Sequence, residues 1–454
     1  MLSIYAKHLD RIYYGHEYHT WKQWLTDFRN LPFPEIESWQ NDRVRYILQS
    51  ISSKVPFYRE SYKHHNTDIV QSKDNLYLLP LLEKQSIRQN EMNFLANGLT
   101  PKSLWLEKTS GTTGTALRIY WPMSMVAQWW AIIELMVRHV AGVSQEIPRA
   151  MMGGRPIVKG ETCKPPYWRY NKNWKQLYLS SYHISKKSSQ AYIDALRKYE
   201  SQWITGYGSA IAALAENALE RGLEPYPLKA VIVSGDTLLP GMRHSIEKYF
   251  QCRCFDHYGQ CEGVAMAMEC PSGRKHVIPM IGIIEILRQD GSYCQPGEIG
   301  EVVATGLLND AMPLIRYRVG DYAAWAEDQH CSCGNPNPII TDLTGRVDDY
   351  LITADGRKVG RLSAFRRSPS IHSAQLVQDK PGHAFLLVRP GSKYKSADAE
   401  AVRADITERV GKFAIDIIEV QEIPKTPQGK AILVVRLDER IEMRSNYSIL
   451  FNIN

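Results

Sequence analysis

The chain of 454 residues has no apolar run long enough to cross a membrane. Its most apolar stretch, residues 126–143, is interrupted by Gln128, Glu134, Arg138 and His139. The first ten residues lack the apolar core of a signal peptide. Because the eight cysteines come without a secretion signal, we expect reduced thiols or metal ligands and no disulfides. These absences predict a cytoplasmic protein with no membrane span.

The sequence also lacks internal repeats, low-complexity segments and blocks of like charge. The net charge of +7 is mild for this length, and no nucleic-acid recognition module is present, so we expect no nucleic-acid partner. A hydrophobic content of 44% and a charged content of 23% are typical of globular proteins. The length suggests two domains.

A Walker phosphate-binding loop is absent, but another glycine-rich segment is present. It reads Thr109-Ser110-Gly111-Thr112-Thr113-Gly114-Thr115, between two strand-like stretches. Successive backbone N–H groups in such a turn can form an anion nest, and the hydroxyls add donors. The segment therefore predicts a polyphosphate site, although a run of this kind by itself is more often a plain solvent-exposed turn.

Residues 190–257 predict a parallel βαβ sheet, because strand and helix patterns alternate with short links. We expect helices over residues 192–199 and 240–250, and a third helix that begins after the N-cap Ser209 and ends at Gly222. The expected strands are 203–207, 230–233 and 252–257. Ligands bind beyond the carboxyl ends of such strands. Three loops lie there: Gly206-Tyr207-Gly208, Ser234-Gly235-Asp236 and Tyr258-Gly259-Gln260-Cys261-Glu262.

The pattern changes to strands and turns from about residue 281, and past Gly345 it becomes that of a small mixed unit. There we expect strands near 374–377, 384–388, 415–420 and 431–435, and a helix near 397–410. The predicted fold class is α/β. A large N-terminal domain, residues 1–345, contains parallel sheets and a β-rich subdomain, and a small mobile α+β domain covers residues 346–454.

Five segments in order resemble the signatures of the adenylate-forming superfamily, which includes the acyl-CoA synthetases. They are Thr109–Gly114, Tyr258–Glu262, Arg316-Tyr317-Arg318-Val319-Gly320-Asp321, Gly345-Arg346-Val347-Asp348-Asp349 and Pro424–Lys430. The segment Val55-Pro56-Phe57-Tyr58 and the pair Cys331-x-Cys333 are similar to the phenylacetate–CoA ligase branch and its relatives in capsule gene clusters. The resemblance covers roughly residues 40 to 437.

This resemblance implies an ATP- and Mg²⁺-dependent enzyme that converts a carboxylic acid to an acyl-adenylate and transfers the acyl group to CoA. One alternative is transfer to an amine or a sugar, and another is a catalytically silent nucleotide-binding homologue. Trp129, Trp130, Tyr207 and His257 suggest an aromatic acid, although the tryptophans fit a core equally well and His257 could be a core residue. The sequence leaves the oligomeric state open, with a homodimer as one candidate.

The resemblance also implies roles for single residues. The loop Ser110, Gly111, Thr112, Thr113 and Gly114 would hold the β- and γ-phosphates of ATP. The adenine pocket would be formed by Ser234, Gly235, Asp236, Tyr258 and Gly259, and Asp321 would accept the ribose hydroxyls. Glu262 would ligate Mg²⁺.

Three further roles fall near the small domain. Arg346 would support ribose and phosphate, Asp348 would be the hinge, and Lys430 would reach the α-phosphate and the carboxylate. Each of three residues also has a purely structural alternative. Lys430 could be a solvated loop lysine, Asp321 a turn acid and Glu262 a helix-capping acid. The sequence departs from many relatives at Thr115, where they have lysine, and at Cys261, where Thr or Ser is more familiar.

A zinc site is suggested by Cys270, His276, Cys331 and Cys333, since three thiolates and one imidazole suit a closed tetrahedral site. The same branch has a similar arrangement. Cys252 and Cys254 are rival ligands, although the strand pattern places them inside the sheet, and His330 is a competing imidazole. The alternative is a set of unligated thiols.

Overall fold

The structure is a computed structural model. It describes residues 10, 12–65, 67–108, 117–159, 164–235, 238, 240–344, 350–360, 371–390, 394–421, 424, 434–437 and 447. These residues form two compact units. The first unit contains the described residues up to 108, residues 117–145 and residues 255–344, and the second contains residues 146–254 and those from 350 onward.

The first unit has an antiparallel sheet in the order β11-β12-β13-β14-β10-β9-β8 and a separate hairpin, β1-β2. Its strands are β1 (Trp105–Lys108), β2 (Arg118–Trp121), β8 (Cys254–Gly259), β9 (Met266–Glu269), β10 (Lys275–Val277), β11 (Gly282–Leu287), β12 (Gly300–Gly306), β13 (Tyr317–Trp325) and β14 (Ile339–Thr344). The residues of β9 and β11 are all buried, because apolar side chains occupy both faces of these strands.

The first unit also contains five α-helices among its described residues. They are α1 (His16–Phe28), α2 (Phe33–Lys54), α3 (Pro56–Ser61), α4 (Lys84–Gln89) and α5 (Met123–Ile132), which continues as a π-helix over Ile133–Arg138. The segment Val55–Tyr58 begins α3, and Tyr58 is buried. The Tyr58 hydroxyl donates to the carbonyl of Pro313 at 3.0 Å and accepts from the N–H of Ile315 at 3.1 Å. This tyrosine therefore joins α3 to the chain that leads into β13.

The tryptophans of α5 pack on other aromatic rings of the same unit. The Trp129 ring lies 5.0 Å from that of Trp121, and the Trp130 ring lies 5.2 Å from that of Tyr13. The guanidinium of Arg138 also lies over the Trp130 ring. Packing of this kind is favourable beyond the area it buries, and it gives Trp130 a structural role.

The second unit contains the predicted parallel sheet. The order is β7-β6-β3-β5-β4, with β3, β5, β6 and β7 parallel and β4 antiparallel to β5. The strands are β3 (Arg149–Gly153), β4 (Trp168–Asn171), β5 (Gln176–Ser180), β6 (Trp203–Gly206) and β7 (Ala230–Ser234). Helices α6 (Ser189–Lys198), α7 (Gly208–Glu220) and α8 (Pro240–Phe250) share a buried core with them.

The predicted N-cap of α7 is wrong. The helix begins at Gly208, and Tyr207 is its N-cap with extended backbone angles (φ −72°, ψ 125°). The carbonyl of Tyr207 accepts the first helical hydrogen bond, from the N–H of Ile211 at 3.0 Å. Ser209 therefore lies within the first turn, because the end of β6 leads directly into the helix.

The small mixed unit predicted near the C-terminus has the order β19-β18-β17-β20 with helix α9. Its elements are β17 (Ile371–Lys380), β18 (His383–Pro390), α9 (Ser396–Val410), β19 (Ala414–Glu419) and β20 (Val434–Arg436), preceded by the hairpin β15 (Tyr350–Ile352) and β16 (Lys358–Gly360). The predicted α/β class is confirmed. The predicted boundary at 345–346 lies outside the described residues and stays a prediction.

Candidate active site

Tyr258 and Asp321 are in contact in the first unit, whereas the resemblance gave each a separate role at the nucleotide. Tyr258 lies near the end of β8 and Asp321 lies on β13. The Tyr258 hydroxyl donates to Oδ2 of Asp321 at 2.8 Å and accepts from Nε2 of Gln260 at 3.1 Å. Burial raises the pKa of Tyr258 well above its usual value, and the negative charge of Asp321 raises it further. Tyr258 is therefore a neutral donor that orients a buried carboxylate.

Glu262 lies in the turn that follows β8 and is 6% exposed. The hydroxyl of Tyr317 donates to its Oε1 at 2.9 Å, and Nζ of Lys84 lies 3.4 Å from the same oxygen. Within the described part of the chain, no hydrogen-bond donor reaches Oε2 of Glu262. One oxygen of this carboxylate is thus available to a hard cation such as Mg²⁺.

The turn that carries Glu262 depends on Gly263. Its φ of +67° is in the left-handed region, and its N–H donates to the carbonyl of Gln260 at 3.2 Å. A Cβ at this position would lie 2.7 Å from Cε of Met125 and 3.0 Å from the Trp121 ring. Only glycine lets the turn pack this closely against these two side chains.

A clamp formed by Arg316, Tyr317 and Arg318 holds the segment before α4 against β13. The backbone of Leu82 pairs with it, since the N–H of Leu82 donates to the carbonyl of Arg316 at 2.9 Å and its carbonyl accepts from the N–H of Arg318 at 3.0 Å. Arg316 also donates to the carbonyl of Leu79 at 2.6 Å and forms a buried pair with Glu285 at 2.9 Å.

This clamp places Lys84, two residues after Leu82, beside Tyr317 and Glu262. The ammonium of Lys84 lies 5.9 Å from the centre of the Tyr317 ring. Tyr317 lies within the motif Arg316–Asp321, where the resemblance gives a role to Asp321 alone, and Lys84 belongs to none of the five segments. No local signal could have found this contact, because the three residues are far apart in sequence.

His257 is buried on β8, one residue before Tyr258. Burial lowers its pKa to about 4, and the positive charge of Lys275 contributes. Its imidazole is therefore neutral near pH 7. His257 is thus a neutral polar group on β8. Its predicted contact with the substrate stays a prediction.

Two of the predicted loops lie in the second unit. Ser234 ends β7, and Gly235 follows with a φ of +88°. The Tyr207 N–H donates to the carbonyl of Met152 at 2.9 Å, and the side chain of Tyr207 lies over Gly154. A Cβ on Gly154 would lie 2.3 Å from the Tyr207 hydroxyl, so the glycine makes room for this ring.

Several predicted site residues lie outside the described part of the chain. They are Ser110, Gly111, Thr112, Thr113, Gly114, Asp236, Arg346, Asp348 and Lys430.

Cys270, His276, Cys331 and Cys333 come together as predicted, with their ligand atoms all within 4.8 Å of one another. Cys270 follows β9, His276 lies on β10, and the other two lie between β13 and β14. The sulfurs of Cys270 and Cys331 are 3.6 Å apart, and Sγ of Cys333 is 3.4 Å from Nε2 of His276. Cys252, Cys254 and His330 are not members of this cluster.

The surroundings of the cluster suit metal ligation. Nδ1 of His276 is 2.9 Å from the carbonyl of Asn337, which directs Nε2 towards the thiols. Burial raises the pKa of the Cys331 thiol, but hydrogen bonds from the N–H of Cys333 and with the side chains of His276, Cys333 and Cys270 outweigh burial and lower the pKa to about 6. Three thiols and one imidazole at these separations fit tetrahedral Zn²⁺.

Within the described part of the chain, no helix is sufficiently long and apolar to span a membrane. No protein-family model matches the sequence. The curated protein CapK of Staphylococcus aureus is 27% identical over 404 residues, which cover 86% of this chain and 87% of CapK. The phenylacetate–CoA ligase of Aromatoleum evansii is 23% identical over 431 residues, covering 88% of this chain and 94% of the ligase.

Among solved structures, 2-hydroxyisobutyryl-CoA ligase aligns with a TM-score of 0.59 at 16% identity, covering 92% of this chain and 94% of the ligase. A second structure of that ligase aligns with a TM-score of 0.54. The fold is that of the acyl-CoA ligases. The resemblance to the adenylate-forming superfamily and to its phenylacetate–CoA ligase branch is thus confirmed.

Proposed function

We propose that the protein activates a carboxylic acid with ATP, forms an acyl-adenylate, and transfers the acyl group to CoA. The observation that carries the proposal is the Tyr258–Asp321 pair beside the turn of Glu262, within a chain that aligns over most of its length with phenylacetate–CoA ligases. A solved structure of 2-hydroxyisobutyryl-CoA ligase contains an acyl-AMP and CoA, which supports this order of events.

In the first step, a carboxylate oxygen of the acid attacks the α-phosphorus of ATP, and the bond to pyrophosphate breaks. Asp321 would accept the ribose hydroxyls, with Tyr258 holding its orientation. Ser110–Gly114 would hold the phosphates, Ser234, Gly235, Asp236 and Gly259 would line the adenine pocket, and Lys430 and Arg346 would stabilise negative charge. In the second step, the CoA sulfur attacks the acyl carbon. The bond between this carbon and the oxygen that bridges to phosphorus breaks, and AMP leaves with that oxygen.

Glu262 would hold Mg²⁺, because this buried carboxylate keeps one oxygen without a donor among the described residues. When bound, Mg²⁺ supplies positive charge to the phosphate oxygens. We assign Cys270, His276, Cys331 and Cys333 to structural Zn²⁺, which would tie the β9-β10 hairpin to the loop between β13 and β14. With no open ligand position, such a site adds stability and no reaction step.

Tyr207 and His257 would contact the acid, Asp348 would be the hinge of residues 346–454, and residues 1–345 would bind ATP and acid. The cytoplasmic location and a homodimer stay predictions. The identity of the acid is left to experiment.

A pyrophosphate-release screen across carboxylic acids, with CoA or amines as acceptors, tests the proposal. Release that needs both an acid and CoA, with a thioester product, is the expected result. Release without dependence on CoA, with an amide or ester product, would contradict transfer to CoA and favour an amine or sugar acceptor. No release across a broad panel, while ATP still binds, would contradict the activity and indicate a silent homologue.

A further inference from the structure

Tyr182 follows strand β5 of the parallel sheet, yet its ring lies in the core of the small mixed unit. The side chain is 2% exposed. It packs in one buried cluster with apolar residues of that small unit, among them Leu351, Val359 and Ile371. A residue of the parallel sheet domain therefore completes a hydrophobic core that the C-terminal strands and α9 otherwise form.

Arg357, in the turn between β15 and β16, holds the backbone of the same tyrosine. Its guanidinium donates to the carbonyl of Tyr182 and, at 2.9 Å, to the carbonyl of Val410 at the end of α9. Asp355 accepts from its Nε at 3.0 Å. The Arg357 side chain is 12% exposed, and hydrogen bonds from charged groups are strong when they are partly removed from water. The small mixed unit thus fixes both the ring and the backbone of Tyr182.

The hydroxyl of Tyr182 joins this core to the segment that follows β3. It donates to the carbonyl of Gly154 at 2.7 Å, and the neighbouring Ser181 hydroxyl donates to the carbonyl of Gly153 at 2.9 Å. A Cβ on Gly154 would lie 3.1 Å from two carbons of the Tyr207 ring, so this ring rests directly on the glycine. Tyr182 therefore fixes the backbone that supports Tyr207.

These contacts lie at the edge of the sheet where a ligand is expected. Strands β3, β5 and β6 are parallel, and Gly154, Tyr182 and Tyr207 follow their carboxyl ends. Parallel sheets bind their ligands beyond this edge. Strand β16 also contacts α7, the helix that begins directly after Tyr207. Two sets of contacts thus connect the small mixed unit to the predicted acid contact.

Filling the core does not by itself require a tyrosine at position 182. A phenylalanine ring would occupy nearly the same space, and a hydroxyl that is removed from water must be paired to avoid a penalty. The hydroxyl of Tyr182 is paired with the carbonyl of Gly154, beneath the ring of Tyr207. The hydroxyl therefore serves the position of that segment.

We propose that Tyr182 is a positioning residue for the acid substrate, because it holds Gly154 beneath Tyr207 while Arg357 holds Tyr182 in place. The inference rests on the proposed function, since it needs Tyr207 at the acid. The small mixed unit then contributes to acid affinity through residues that do not touch the acid. ATP affinity should change little, because Asp321 lies in the first unit.

The test separates acid affinity from ATP affinity. Pyrophosphate release gives kcat and the KM values for the acid and for ATP in the wild type, Tyr182→Phe, Arg357→Gln and Arg357→Lys. Thermal melting checks that each variant is folded. If Tyr182→Phe does not fold, the two Arg357 variants carry the same test.

Two control variants remove comparable hydrogen bonds elsewhere in the second unit. Tyr249→Phe loses the hydroxyl of a buried tyrosine, which donates to the carbonyl of Glu224 at 3.0 Å. Arg197→Gln loses a guanidinium that donates to the same carbonyl at 3.0 Å. Neither bond involves the segment of Gly154. A general loss of stability would therefore affect the controls and the test variants alike.

Tyr182→Phe should raise the KM for the acid roughly five- to tenfold, as the loss of one buried hydrogen bond predicts. Its KM for ATP should stay within about twofold of the wild type. Arg357→Gln should change both values in the same way. Arg357→Lys should have a smaller effect, because lysine keeps the charge and loses the planar fork. Both control variants should keep wild-type KM values.

Hydrogen–deuterium exchange in the absence of ligands provides a second readout. Peptides that cover residues 150–156 and 205–210 should exchange faster in Tyr182→Phe than in the wild type. In Tyr249→Phe the same peptides should exchange as in the wild type. This comparison reports the position of Gly154 and Tyr207 without any turnover.

The inference is overturned by an acid KM of Tyr182→Phe within twofold of the wild type, by an equal rise in the KM for ATP, or by the same change in Tyr249→Phe. Unchanged exchange of both peptides also overturns it. Wild-type protein that activates no acid would instead refute the proposed function. The exchange measurement needs no acid and would still decide whether Tyr182 positions Gly154 and Tyr207.

Discussion

The phenol of Tyr258 donates a 2.8 Å hydrogen bond to the carboxylate of Asp321, which is 63 residues further along the chain. Asp321 is buried and Tyr258 is half-buried in the first unit, and Gln260 donates to the same phenol oxygen. Because burial and Asp321 together raise the pKa of Tyr258, the phenol keeps its proton throughout the physiological range. The carboxylate therefore has a fixed orientation before any ligand arrives.

Replacing Asp321 should weaken nucleotide binding. Asp321→Asn removes the negative charge that would accept the ribose hydroxyls, and hydrogen bonds to charged groups contribute about 1.5–3 kcal/mol, so a loss of roughly 10- to 100-fold is expected. Tyr258→Phe should cost less, because it removes only the orienting donor. ATP titration by calorimetry measures both, with the exposed Asp328→Asn as control. Wild-type affinity in Asp321→Asn would contradict the assignment.

Stability should fall as the pH drops below about 6.5, and His257 should contribute to that fall. Its folded pKa of about 4 lies below the unfolded value of 6.5, so the unfolded state binds the proton first and unfolding becomes easier between these two pH values. The full effect is at most about 3 kcal/mol.

Urea unfolding of the wild type and of His257→Gln at pH 7 and pH 5 measures this contribution. The difference in unfolding free energy between the two pH values should be smaller in the variant. His19→Gln is the control, because His19 is exposed on α1. Identical pH dependence in His257→Gln and the wild type would show that the histidine does not carry the effect.

The cysteine cluster should contain zinc. Protein prepared without chelators should hold about one equivalent per chain, as a closed site of four ligands requires. Cys331→Ser should lose most of the metal and melt at a lower temperature, because metal binding contributes to folding free energy. Cys252→Ser, outside the cluster, should keep it. Less than a few tenths of an equivalent in the wild type would rule out the site.

Tyr58→Phe should destabilise the first unit by about 1–3 kcal/mol. The variant leaves the carbonyl of Pro313 and the N–H of Ile315 without the hydroxyl that serves both, and such buried groups are costly when unpaired. Chemical unfolding measures the change, with Tyr77→Phe as control because Tyr77 is 54% exposed. An equal loss in both variants would exclude the bridging role.

Much of the second unit could be predicted from local patterns. The run Ala230–Val233 is apolar on every residue and bounded by loops, which indicates a strand buried on both faces, and β7 confirms this. The start of α7 was misplaced by two residues, because Ser209 is a good N-cap by composition while Tyr207 occupies that position in the fold. Caps depend on how the preceding strand enters the helix, which composition does not show.

Only those residues of the candidate site that belong to a recognisable sequence motif could be predicted. The four metal-ligand candidates were predicted from residue types, and the structure brings them together. The resemblance implied that Tyr258 and Asp321 serve one nucleotide, and their direct contact is an observation of the structure. The contact between Lys84 and Glu262 depends on the register of residues 79–84 against β13, which arises from tertiary packing. A single lysine at the start of a short helix carries no such information.

Oxygen-18 transfer tests acid activation most directly. A carboxylic acid that supports pyrophosphate release is labelled in both carboxylate oxygens and incubated with ATP, CoA and the enzyme, and the AMP is examined by mass spectrometry. Attack of the carboxylate on the α-phosphorus predicts one labelled oxygen in each AMP formed and one in the thioester. Unlabelled AMP, or label found in inorganic phosphate together with ADP, would contradict an acyl-adenylate.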